Sequence, residues 1–129
     1  MQVNQENLPE EVQVGLDLFN QGHYYQAHES FETAWRKTKT PAREFFRALI
    51  HISGGFYRLS QNRPTAAKKF FKHALKWLAL FPNRYLGFNT ALLQDDLTTI
   101  ITALDKGQFD FSKIKKHLHP LDPKEIWNT

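Results

Sequence analysis

Residues that start and end helices divide this chain of 129 residues into five segments. Proline at a first-turn position is typical of a helix start, and a following glycine or proline is typical of a helix end. Patterns that indicate β-strands are nearly absent. We therefore predict an all-α protein whose helices cover about 9–21, 24–37, 41–61, 64–80 and 90–106.

The residues after the fifth helix, about 109–129, contain two prolines and few periodic apolar positions. We expect them to form an extended tail that packs through Phe109, Phe111, Ile114 and Trp127. No low-complexity linker separates the helical segments from one another. Residues 1–129 are therefore predicted to form a single helical domain, which suits the length of the chain.

The sequence repeats weakly at a spacing of 40 residues. Five pairs are identical, namely Gly15 and Gly55, Gln21 and Gln61, Ala27 and Ala67, Phe31 and Phe71, and Ala34 and Ala74. Small residues let two helices approach closely, and the phenylalanine fills the remaining space. The spacing resembles the tetratricopeptide repeat, although two copies are fewer than an open solenoid needs. We therefore predict a compact bundle of two repeat-like α-hairpins, closed by the fifth helix and the tail.

Composition excludes several classes of function. The chain has no cysteine, so a metal site or a catalytic group must use other side chains. No apolar run approaches the roughly 20 residues of a membrane helix, and the first residues are polar and acidic, unlike a signal peptide. We therefore expect a cytoplasmic protein that does not enter a membrane.

Positive charge is concentrated in the middle of the chain. No Asp or Glu occurs between Phe45 and Gln94, a range that contains eight Lys and Arg, yet the net charge is only +4. We expect acidic residues from the flanking segments to neutralise part of this region, and the ridge of Lys68, Lys72 and Lys76 to be solvated. The pattern therefore does not favour a nucleic-acid surface.

The second helical segment carries polar residues in its apolar stripe. At about 100° per residue, His28 lies within the stripe and Glu32 at its rim. In the third segment Arg47, His51 and Arg58 fall on one narrow polar stripe. We predict a polar seam between these two helices, formed by His28, Glu29, Glu32, Trp35, Arg36, Arg47, His51 and Arg58.

Ion pairing is the first interpretation of the seam. Because a buried charge is costly unless it is paired, we expect Glu32 to pair with Arg47 or Arg58 across the helix interface, while a buried His28 stays neutral. Glu32 also has Arg36 one turn ahead on its own helix. The protein would then be a small binding or interaction module whose partner is another protein or a small acidic ligand. The sequence favours neither a monomer nor a homo-oligomer.

A divalent metal is the second interpretation. His28, Glu32 and His51 would be the ligands and Glu29 a base, so that His28, Glu29 and Glu32 would serve a metal-dependent hydrolase. The stretch HESFE lacks the second histidine of the H-E-x-x-H motif, and the chain has no E-x-x-H pair. It also lacks a glycine-rich phosphate loop and a serine nucleophile turn.

A set of residues also carries a family resemblance. They are Phe19, Asn20, Gly22, Tyr24, Ala27, His28, Glu29, Glu32, Trp35 and Arg36, then Phe46, Leu49, Ile50, Tyr57, Ala67 and Ala74. With the A-H-E-x-x-E-x-x-W core, residues 15–97 resemble the prokaryotic family called domain of unknown function 309. The resemblance implies an all-α fold and no assigned biochemistry. The position of His51 is often glutamine in that family pattern, which weakens a metal site that needs His51.

Overall fold

The computed structural model describes residues 8–123. Within this range five long helices follow one another: α1 (Glu10–Asn20), α2 (Tyr24–Lys37), α3 (Ala42–Ser60), α4 (Pro64–Leu78) and α5 (Thr90–Asp105). Each end lies within two residues of its predicted position, and the all-α fold is confirmed. In this part of the chain, no helix combines the length and the apolar character needed to span a membrane.

Local backbone signals account for several of these helix ends. Gly22, Asn62 and Gly107 follow α1, α3 and α5 with positive φ angles of 90°, 62° and 83°. Glycine adopts this left-handed conformation without strain, and asparagine tolerates it better than most residues. At the other end of α5, the Asn89 side chain accepts a hydrogen bond from the Leu92 backbone N–H at 3.0 Å. Such signals act within a few residues, so they can be recognised in the sequence.

The 40-residue repeat corresponds to two hairpins, α1–α2 and α3–α4, that pack in the same way. Gly15 lies against the ring of Phe31, and Gly55 lies against the ring of Phe71. A Cβ atom on either glycine would overlap the facing ring, which is fully buried. The glycines therefore allow each pair of helices to approach around one aromatic side chain, as the repeat predicts.

α3 is the central helix, because it packs against both α2 and α4. Most of its residues between Phe45 and Leu59 are buried. The half-buried ones in this stretch are Arg47, His51, Tyr57 and Arg58. The polar stripe that the sequence predicts on this helix is therefore its outward-facing side.

A short antiparallel hairpin, β1 (Arg84–Tyr85) and β2 (Phe88–Asn89), precedes α5. Its two turn residues, Leu86 and Gly87, have φ angles of 51° and 84°, as a type I′ turn requires. Leucine is unusual in this conformation, so the sequence carries no standard hairpin signal here. Tyr85 and Phe88 pack against Phe45 of α3, which ties the hairpin to the core.

The start of the tail is folded. A four-residue helix, α6 (Phe111–Ile114), is followed by a 3₁₀ turn at Lys115–His117. Ile114 is fully buried and Phe111 packs against the core, as predicted. Phe109 is 51% exposed, so its predicted packing role is wrong. Trp127 lies outside the described residues. A helix of one turn carries too little periodicity to be predicted.

Candidate functional site

Side chains from α2 and α4 meet over the half-buried stripe of α3. Each is linked to a neighbour by a ring contact, a cation–π contact or an electrostatic interaction. We call this surface the aromatic-cationic face. It consists of Tyr25, His28 and Trp35 from α2, Arg43, Arg47, His51, Tyr57 and Arg58 from α3, and Phe70, His73 and Trp77 from α4.

Arginine and tryptophan side chains alternate at one end of the aromatic-cationic face. The guanidinium carbon of Arg43 lies 4.0 Å from the centroid of the Trp35 ring. That of Arg47 lies 4.9 Å from the Trp35 ring and 4.5 Å from the Trp77 ring. Arg43 Nε also donates a hydrogen bond to the Trp35 carbonyl oxygen at 3.0 Å. Cation–π contacts of this kind stabilise by about 0.5–2 kcal/mol and fix the planes of both guanidinium groups.

Three histidines occupy the middle of the face. The ring of His51 lies 5.3 Å from that of His73 and 5.9 Å from that of Phe70. The pKa of His51 is lowered to about 4, mainly by burial and also by the nearby His73, Arg47 and His28. His51 is therefore a neutral imidazole at neutral pH.

Buried polar atoms without a hydrogen-bond partner concentrate at this face. Within residues 8–123 they include His28 Nδ1, Trp35 Nε1 and His51 Nδ1. Oε1 of Glu44 is different, because it has an ion-pair partner in Arg47 Nε at 3.1 Å. Leaving such a group unpaired costs about 1–3 kcal/mol, and native structures rarely do so. Three such atoms, at His28, Trp35 and His51, therefore lie together at this face.

The predicted pairing of Glu32 with Arg47 or Arg58 is wrong. Glu32 Oε1 lies 3.5 Å from Arg36 Nη2 at an exposed part of α2. Arg47 pairs with Glu44, and Arg58 donates a hydrogen bond to the side chain of Gln61, which follows the last residue of α3. The reason is local competition, because each charged group finds a partner one turn away on its own helix before it reaches across the interface.

The remaining residues of the predicted seam divide into two groups. His28 is half-buried and contacts Tyr25, so it belongs to the aromatic-cationic face, although it is less buried than predicted. Trp35, Arg47, His51 and Arg58 belong to the face as well. Glu29 is exposed, and its backbone carbonyl accepts a hydrogen bond from the Thr33 hydroxyl. Glu29, Glu32 and Arg36 therefore lie outside the face.

The metal interpretation needs His28, Glu32 and His51 to converge. Across the described range, no three His, Asp or Glu side chains are grouped so that they could hold a metal ion. His28 and His51 are close enough to interact electrostatically, but Glu32 pairs with Arg36 at the exposed side of α2. The structure therefore does not bring this ligand set together.

Sequence reasoning missed the contribution of α4 and of Arg43. Phe70, His73 and Trp77 are spaced as i, i+3 and i+7, which places them on one side of a helix. Arg43 precedes Arg47 by one turn on the same ridge. The signal was therefore present in the spacing, but it points to a shared site only once the helices are packed.

Acidic residues do neutralise part of the basic middle region, as expected. Lys68 Nζ donates a hydrogen bond to Asp105 Oδ1 of α5 at 2.6 Å. This hydrogen bond lowers the pKa of the Asp105 carboxyl. The lysine ridge of α4 is thus tied in part to α5, while Lys72 and Lys76 are exposed.

A second polar cluster fixes the tail to the bundle. The Asn20 side chain donates to the Leu121 carbonyl at 3.0 Å and accepts from the Leu121 N–H at 3.1 Å. Asp96, a buried residue of α5, accepts the His119 backbone N–H at 2.9 Å and bonds the His119 Nδ1 at the same distance. We call Asn20, Asp96, His119 and Leu121 the tail clamp. A cavity of about 110 Å³ lies beside it, bounded in part by Arg84.

The fold and the face together define a small all-α protein built from two similar helical hairpins. Residues 12–70 match the model of the family described as Domain of unknown function (DUF309). This match, which covers less than half of the chain, confirms the resemblance seen in the sequence. An "Uncharacterized protein" of Aquifex aeolicus (strain VF5) is 26% identical over 90 residues, which are 69% of this chain and 27% of that protein. The chain therefore spans about a quarter of the length of this relative.

Proposed function

We propose that this protein is a binding module that holds an acidic ligand on its aromatic-cationic face. The observation that carries the proposal is the pair of guanidinium groups, Arg43 and Arg47, that lie on the ring of Trp35. A carboxylate or phosphate oxygen accepts hydrogen bonds from indole, imidazole and guanidinium N–H groups. Such a ligand would balance the positive charge that Arg43 brings to the face.

The charge balance supports an anion over a cation. Glu32 is offset by Arg36, and Glu44 by Arg47. Arg43 and Arg58 have no acidic partner within the described residues, since Arg43 bonds a backbone carbonyl and Arg58 a neutral amide. The face therefore carries excess positive charge even with its histidines neutral, and this charge attracts an anion.

The same arrangement favours binding over the hydrolase alternative. A hydrolase needs its base and its other reacting groups to converge on one point. Glu29 is exposed, and Glu32 is 40% accessible and paired with Arg36. The groups that do converge are donors and ring systems, which suit recognition.

The proposal is tested by NMR titration of the ¹⁵N-labelled protein with citrate and, separately, with inorganic phosphate. We expect saturable shifts of the Trp35 and Trp77 indole N–H signals and of backbone signals along α3. The double variant Arg43→Ala with Arg47→Ala should weaken this binding at least about tenfold, since each lost charge contact is worth about 1 kcal/mol or more.

A charge-matched control separates specific binding from general attraction to a basic protein. Lys106→Ala with Lys113→Ala removes two exposed positive charges that lie outside α2, α3 and α4, the helices that form the face. This variant should bind citrate as the unmodified protein does. Equal weakening in both double variants, or shifts that avoid the two indoles, would contradict the proposal.

A further inference from the structure

The aromatic-cationic face is long, and it has a positive group at each end. Arg47 and Arg58 lie on the same side of α3, and at about 1.5 Å per residue they are about 16 Å apart along the helix axis. Arg47 lies between two indole rings at one end. Arg58 lies 5.6 Å from the Tyr57 ring and 5.8 Å from the Phe70 ring at the other. A single small anion does not reach both ends.

The polar groups along this length include donors and acceptors. Trp35 Nε1 is a donor, and each imidazole donates or accepts according to its tautomer. The Glu44 carboxylate, which pairs with Arg47, is an acceptor. A peptide backbone offers both N–H and C=O groups, and so it can satisfy this mixture. Between its two positive ends the face presents the rings of His51, Phe70 and His73, which suit a segment with two separated charges better than a backbone with a phosphate at every nucleotide.

We propose, on the basis of the binding function above, that the ligand is an extended acidic segment of a partner protein that runs along α3. One of its carboxylates pairs with Arg43 and Arg47, and a second pairs with Arg58. At about 3.3 Å per residue, a span of about 16 Å corresponds to about five residues. Because alternate side chains of a strand point to the same side, acidic residues four or six positions apart fit this spacing.

The test uses fluorescein-labelled peptides of ten residues and fluorescence anisotropy. Three peptides share one composition, with two glutamates placed four apart, six apart or adjacent, and the other positions glycine and serine. A fourth probe is a labelled hexathymidine. We expect at least one widely spaced peptide to bind about tenfold more tightly than the adjacent one, and more tightly than hexathymidine at the same salt concentration.

Variants of Arg58 test whether the peptide contacts this end of the face. Arg58→Ala should reduce the affinity of the widely spaced peptide about tenfold, and Arg58→Lys, which keeps the charge, should retain most of it. Thermal melts of both variants show whether either has lost its fold. Arg58 is half-buried, and its hydrogen bond goes to Gln61 at the end of its own helix. We therefore expect both variants to stay folded.

The outcomes separate this inference from the proposed function. Equal affinity for spaced and adjacent peptides, or tighter binding of hexathymidine, would overturn the peptide assignment while the citrate titration still supports an acidic ligand. If citrate, phosphate and every peptide fail to bind, both proposals are wrong.

Discussion

The aromatic-cationic face and the tail clamp use similar polar side chains in opposite ways. In the clamp, Asn20 uses both its donor and its acceptor on Leu121, and Asp96 accepts two hydrogen bonds from His119. On the face, His28, Trp35 and His51 each bury a polar atom that has no partner in the described structure.

The clamp residues therefore stabilise the fold, whereas the face residues are positioned by it without adding to its stability. Partnered buried polar groups stabilise a structure, whereas unpartnered ones reduce its stability and are tolerated where function needs them. Mutations in the clamp should therefore lower stability, and mutations of the face should mainly change binding.

The largest expected effect comes from breaking the clamp at Asp96. Asp96→Ala removes two hydrogen bonds to a buried carboxylate, so we expect the free energy of unfolding to fall by about 2–3 kcal/mol. Asp95→Ala changes an exposed neighbour on the same helix and should have an effect within about 0.5 kcal/mol. Urea denaturation of the two variants measures the difference. Equal losses would show that Asp96 does not hold the tail in the way described.

The pH dependence of stability reports on the buried His51. Its pKa is about 4 in the folded protein and about 6.5 in the unfolded chain. Between these values the unfolded chain binds the extra proton, so stability is full above about pH 6.5 and falls as the pH approaches 4. After allowance for solvent screening we expect a loss of about 1–2 kcal/mol.

The control for this titration is His51→Gln, which keeps a polar side chain that does not ionise. The difference in unfolding free energy between this variant and the unmodified protein should grow from pH 7 to pH 4 with the sign given above. A constant difference across this range would mean that His51 is not buried as a neutral group among His28, Arg47 and His73.

Removing an unpartnered donor from the face should cost almost no stability. Trp35→Phe deletes the indole N–H, which has no hydrogen-bond partner, and keeps an aromatic ring for the two arginines. The smaller ring buries less apolar area, which lowers stability, and the loss of an unpaired N–H raises it. We therefore expect the free energy of unfolding to change by less than about 1 kcal/mol. Citrate or peptide binding should weaken in the same variant. A large loss of stability would place Trp35 with the clamp residues as a structural group.

The smallest effect is expected at the edge of the face. Glu32 and Arg36 form an exposed pair with side chains 40% and 58% accessible, respectively. Glu32→Ala should therefore change the unfolding free energy by about 0.5 kcal/mol or less, as is typical of exposed pairs. A loss of several kcal/mol in urea denaturation would restore the idea of a buried pair between α2 and α3.

The helices could be predicted because their signals are local. Proline, glycine and Asn62 mark the ends, and the pairing of Gly15 with Phe31 recurs 40 residues later as Gly55 with Phe71. A repeated pair of one glycine and one phenylalanine indicates which faces of the two helices in a hairpin meet. The two hairpins can therefore be predicted from the sequence.

The partners of individual side chains could not be predicted in the same way. The choice of Arg36 by Glu32 depends on which cation is nearest after packing, and a helical wheel does not give that distance. Trp77 reaches Arg47 only because α4 packs beside α3. Asn20 and Leu121 are 101 positions apart, so the clamp they form has no local pattern at all.

The central claim is that the aromatic-cationic face binds an acidic ligand. The most direct test is to follow the His51 ring proton by NMR from pH 7 to pH 4, with and without saturating widely spaced peptide. A carboxylate bound nearby favours the charged imidazole, so the pKa of His51 should rise from about 4 towards its usual value when the peptide is bound. At each pH, the His119 ring signal of the tail clamp should have the same position with and without the peptide. An unchanged His51 titration at saturating peptide, or an equal change at His119, would contradict the claim.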